Sequence, residues 1–196
     1  MKADRMVAFT DAVIAIILTI MVLELPVPRG ESFRSLERTL PLFGAYALSF
    51  VIVGIFWTNH HHLLQATRKI DGRSMWVNLS LMFWLSLFPW VIRWIGEEGI
   101  TFYPVQAYGV VLTMASLAYL VLERTLIAAD RESPLERAVR GHKKELLTLA
   151  LNLVSLVVAF VSPWAAVACF GVVAILWLIP DRRIEEGKDG EPIVES

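Results

Sequence analysis

Long apolar runs joined by short polar connectors constrain this chain more than any other feature. Six recur, over about residues 6–25, 40–64, 76–95, 105–126, 146–161 and 164–179. Crossing ~30 Å of hydrocarbon at 1.5 Å per residue takes about 20 apolar residues in a helix. A helix also satisfies its own backbone N–H and C=O groups where no water can. The expected fold is therefore all-α: a polytopic membrane protein with six transmembrane helices. The chain is 56% hydrophobic and 19% charged, with a mean hydropathy of +0.58; soluble domains run at about 45–50% and 25%. Only Ser162 and Pro163 separate the last two runs, which predicts a tight helical hairpin. Residues 1–180 are expected to form one six-helix domain, and the charged residues 181–196 a disordered tail. Residues 130–145, also strongly charged, read as a helical link outside the bilayer.

Charge sets the orientation. With the N-terminus inside, fourteen of the 18 Lys and Arg residues fall on the cytoplasmic side, leaving Arg29, Arg34, Arg38 and Arg93 outside. Such a bias places both termini in the cytoplasm. The first run carries Asp11 and lacks a small-residue cleavage site, so it is expected to stay as a helix rather than leave as a signal peptide. Cys169 has no second cysteine to pair with. A net charge of −1 gives no reason to expect a nucleic-acid partner.

Ionisable residues in a spanning helix are costly and point to function. The first helix has Arg5 near its start, Asp11 deeper, and Glu24 at its far end. Arg5 and Asp11 are six residues apart and so lie on different faces, which directs Asp11 to a neighbouring helix. Phe9, Ala12, Ile16, Ile20 and Leu23 share one narrow face, with Thr19 beside it. Periodicity alone does not separate a lipid-facing stripe from a pore-facing one.

The residues around that stripe are more specific. Arg5, Phe9, Thr10 and Asp11 form a pattern that resembles the RxxxFSD(G) signature opening the lysosomal potassium channel family and its bacterial relatives (transmembrane protein 175-like). Thr10 replaces Ser, one hydroxyl for another, and Ala12 stands where Gly is common. The run Trp57-Thr58-Asn59-His60-His61-His62 resembles the second-helix pattern of the same family. The resemblance implies a homotetramer of six-helix subunits in a bacterial cell membrane, with the first helices lining a central pore. Arg5, Phe9, Thr10, Asp11, Trp57 and His60 would tie that helix to its neighbours. Ile16 would form the narrowest hydrophobic ring, with Thr19, Ile20 and Leu23 beside and beyond it. No TVGYG-like filter occurs, so carbonyl coordination is not available. Hydrophobic rings gate instead by dewetting, with modest preference for potassium over the more strongly hydrated sodium. The implied permeant ion is potassium, among monovalent cations, with no cofactor.

Adjacent histidines on a helix point about 100° apart, so His60, His61 and His62 cannot all bind one metal. Hydrogen bonding towards Thr10 and Asp11 suits them better. Asn78, Ser80, Ser86, Asn152 and Ser155 read as polar glue between helices, and Pro89 as a kink. Glu24 suits either a pore mouth or an interfacial cap, and Arg93, Glu97 and Glu98 a solvated outer rim. No nucleophile–base set or phosphate loop appears, so an enzyme is not expected. A secondary transporter or proton-coupled carrier using Asp11 and the histidines is the alternative function, although neither an inverted repeat nor a broken midplane helix is visible.

Overall fold

A computed structural model describes residues 3–28, 32–37, 39–67, 70–129 and 143–178. Helix α1 (Ala3–Leu23) contains neither Gly nor Pro and stops just short of Pro26 and Pro28, which cannot continue it. A five-residue helix, α2 (Phe33–Glu37), follows. It is too short to register as a periodic pattern. Helix α3 (Leu40–Gln65) has Pro41 in its first turn, where a missing N–H costs nothing.

Helix α4 (Gly72–Ser86) begins at Asp71, whose Oδ1 accepts from the Ser74 backbone N–H at 2.8 Å and from its hydroxyl at 2.7 Å. Those two bonds hold the Asp71 carboxyl below the usual carboxylate range. The third apolar run, read as one span over 76–95 with Pro89 as a kink, is one candidate span built from two helices. α4 gives way at Leu87 to α5 (Phe88–Glu98). Pro89 has no N–H to continue the α4 ladder, and its ring excludes the carbonyl four residues back. Gly99, at φ 76°, closes α5 in a conformation that a side chain would strain.

Helix α6 (Phe102–Ala129) is the longest, at 28 residues. Helices α7 (Lys143–Val158) and α8 (Pro163–Leu178) follow, with 16 residues each. Among the described residues, four stretches are long and apolar enough to cross a bilayer: Arg5–Leu23, Leu40–Gln65, Gly72–Glu98 and Phe102–Ala129. Sixteen residues reach about 24 Å against ~30 Å of hydrocarbon, so among the described residues length alone identifies four of the six expected spans. Of the charged link expected over 130–145, its last three residues begin α7 and the remainder lies outside the described residues. The expected tail at 181–196 lies outside them as well.

α6 packs against α4, α5, α7 and α8, while α1 packs on α3, α4 and α5. At the centre, Tyr108 meets Phe88 edge-on at 5.5 Å and Phe170 at 5.0 Å. Its hydroxyl shares a 3.0 Å hydrogen bond with Ser49 of α3. Gly109 lets α7 and α8 approach, since a Cβ there would lie 2.6 Å from Leu156 Cδ2 and 3.2 Å from Phe170 Cζ.

Candidate functional site

Helix α1 has two unlike faces. Met6, Thr10, Ile14, Ile17 and Met21 recur at helical spacing and are buried against the rest of the chain. Phe9, Ala12, Ile16, Thr19, Ile20 and Leu23 lie on the other face and are exposed, Ile16 at 55% and Leu23 at 79%. The Thr19 hydroxyl lies 3.0 Å from the Ala15 carbonyl and 2.9 Å from that of Ile16. Its proton is thereby committed within the helix. Its oxygen keeps acceptor capacity on the exposed face.

The buried face is anchored at one end by polar contacts to α3 and α4. Trp57 Nε1 donates to Asp11 Oδ1 at 2.8 Å. This bond links α1 to α3. The Trp57 ring in turn stacks on His61 with centroids 5.9 Å apart. Deeper in, His60 Nε2 donates to Asn78 Oδ1 at 2.7 Å, and Asn78 Nδ2 donates to Thr10 Oγ1 at 3.0 Å. Thr10, His60 and Asn78 are all buried. Their bonds join α1, α3 and α4 where water cannot compete.

Four of the expected network residues (Thr10, Asp11, Trp57 and His60) are thus brought together. Arg5 and Phe9 are not: both are exposed, and Arg5 makes no ion pair among the described residues. Asn78 is the member that sequence reasoning left out of the site, although its amide within an apolar run is the signal that finds it. The expected interhelical role of Ser86 and Ser155 needs correction. Ser86 bonds the Phe83 carbonyl and Ser155 that of Asn152, each within its own helix. A short hydroxyl reaches the preceding turn more readily than a neighbouring helix. Asn152 does cross, donating to Ser116 Oγ at 3.1 Å.

At the far end of α1, Glu24 Oε2 lies 4.0 Å from Arg93 Nε, and Arg93 pairs with Glu97 at 3.0 Å. Arg93 and Glu97 are more than 60% exposed. Such pairs contribute little to stability. No group of three His, Cys, Asp or Glu side chains converges on a metal position among the described residues.

Long apolar helices, tied together by buried polar side chains, define an integral membrane protein of all-helical class. The family model for the endosomal/lysosomal potassium channel TMEM175 matches residues 5–89, the stretch that holds every member of the network. A potassium channel from Chryseobacterium sp. (strain P1-3) is 45% identical over 95% of this chain and 97% of its own length. One from Streptomyces collinus is 27% identical over 90% of this chain and 91% of its own. The mouse endosomal/lysosomal proton channel TMEM175 is 33% identical over 45% of this chain and 19% of its own. The chain belongs to the TMEM175 family. Its fold matches the crystal structure of a TMEM175 homologue from Chamaesiphon minutus, with a TM-score of 0.79 and 24% identity, over 90% of this chain and 96% of that one.

Proposed function

We propose that the chain is the subunit of a homotetrameric, potassium-permeable cation channel, and not an enzyme. Its pore is central and lined by α1 of each subunit. Ile16 forms the hydrophobic constriction, with Thr19, Ile20 and Leu23 along the same path. The observation that carries the proposal is the division of α1 into a buried, polar-anchored face and an exposed apolar one. A helix held so firmly by its own subunit offers its free face to something else, and four such faces around one axis make a narrow apolar path. The bacterial relatives' description as potassium channels favours a channel over a carrier.

In this arrangement α7 and α8 cross the membrane with the four longer spans, as a hairpin supported by α6, giving six crossings in one domain over residues 1–180. Both termini then lie in the cytoplasm of a bacterial cell, with the charged residues 181–196 outside the bilayer. Thr10, Asp11, Trp57, His60 and Asn78 set the rotation of α1, with Arg5 and Phe9 completing the signature at its inner end.

Flux into proteoliposomes under a potassium gradient tests this. We expect rapid, non-saturating potassium flux that exceeds sodium flux severalfold. Ile16→Asn, which wets the constriction, should raise it several-fold with weaker ion preference. Slow saturable flux, or flux strictly coupled to protons, would show a carrier instead.

A further inference from the structure

A cavity of about 50 Å³ lies where α3, α6, α7 and α8 meet, lined by Phe56, Ser116, Tyr119, Glu145, Thr148 and Trp177, and by no residue of α1. Its carboxylate is unusual. Glu145 Oε2 is shut off from solvent and has no hydrogen-bond partner among the described residues. Glu145 interacts electrostatically with Tyr119 and with the buried Glu123, which also feels Arg124. A buried carboxylate oxygen without a partner is costly, and a cation beside it removes the cost. Next to the cavity, the fully buried Asn152 gives its N–H to Ser116, and its Oδ1 has no hydrogen-bond partner among the described residues.

The walls select the kind of cation. Trp177 donates Nε1–H to Thr148 Oγ1 at 2.7 Å, which fixes the indole. Lys144 Nζ lies 4.9 Å from the centroid of the same ring, so this indole already attracts an ammonium group. Phe56 and Tyr119 meet edge-to-face at 6.1 Å. An inorganic cation prefers a shell of oxygen ligands, whereas aromatic faces beside one carboxylate suit an alkylammonium ion. The size is also restrictive. A volume of about 50 Å³ holds about four water-sized groups.

We infer that this cavity binds a small primary alkylammonium ion, its nitrogen on Glu145 and its alkyl chain against Phe56, Tyr119 and Trp177. The site is separate from the exposed face of α1, and its occupancy is independent of whether that face conducts ions.

Thermal unfolding of the purified full-length protein in detergent tests the inference, with propylammonium chloride titrated against potassium chloride at equal ionic strength and against propanol as the neutral isostere. Propylammonium alone should raise Tm saturably. Glu145→Gln should move the half-saturating concentration at least tenfold higher, and the exposed Glu98→Gln should leave it unchanged. Ala174→Leu, which fills the cavity without altering charge, should do the same as Glu145→Gln and decides the matter if that variant does not fold. The inference is overturned by the absence of saturation, by an equal response to potassium or propanol, or by an unchanged midpoint in Ala174→Leu.

Discussion

Asn78 shows how much one side chain can organise in an apolar setting. Its amide accepts from His60 and donates to Thr10, so three helices meet at a single residue. Asn78→Ala leaves both partners buried and unsatisfied. Interhelical hydrogen bonds in membrane proteins average about 0.6 kcal/mol, but orphaning buried groups adds to that. We expect a loss of about 1–2 kcal/mol, read as a lower Tm in detergent. Ser86→Ala, which removes only an exposed bond within α4, should stay within about 0.5 kcal/mol; equal losses in the two would contradict the assignment. The sequence shows that Asn78, Thr10 and His60 are polar residues in apolar runs. It does not show that they meet, because their separations of 68 and 18 residues are closed only by packing. Nor does it separate His60, which is buried, from His62, which is exposed. That difference is one of helix rotation, invisible within a run of three identical residues.

Among the elements, α6 carries the bundle because it touches nearly every other long helix, and Gly109 sets its distance from two of them. Adding a methyl at Gly109 meets Leu156, a flexible tip, and the ring of Phe170, which is buried and cannot swing away. Overpacking costs about 1–3 kcal/mol and offsets the ~1 kcal/mol that Ala gains over Gly in a helix. Gly54 has nothing within 4 Å of a Cβ. Gly54→Ala should therefore unfold at a higher temperature than Gly109→Ala, and the reverse order would show that α6 and α7 are looser than their geometry. Length and hydropathy made α1, α3 and α6 legible from residues alone. The division at Leu87 was legible only as a proline, since a run of apolar side chains looks the same whether its backbone is continuous or broken. α2 left no trace, for five residues make barely more than one turn.

For the whole molecule, the exposed apolar face of α1 has a requirement that a single chain does not meet. Ile16, Ile20 and Leu23 need a covering of lipid or of other copies. The proposed tetramer predicts a native mass, after subtraction of detergent, of four times the 22.1 kDa chain. A monomer or dimer across detergents would remove the central pore. Residue patterns gave the membrane class, whereas the use of this face came from the likeness of Arg5, Phe9, Thr10 and Asp11 to a family signature. Periodicity treats lipid and pore alike, which is why composition could not supply it.

The anchoring of α1 also fixes an order of events during synthesis. The partners of Asp11 and Thr10 lie 46 and 68 residues downstream. At about 5–20 residues per second, α1 leaves the ribosome several seconds before Trp57 and Asn78 exist to receive it. For that interval its carboxylate is paired with nothing in its own chain. The contacts that set the rotation of α1 against α3 and α4 therefore form only once those helices have been made.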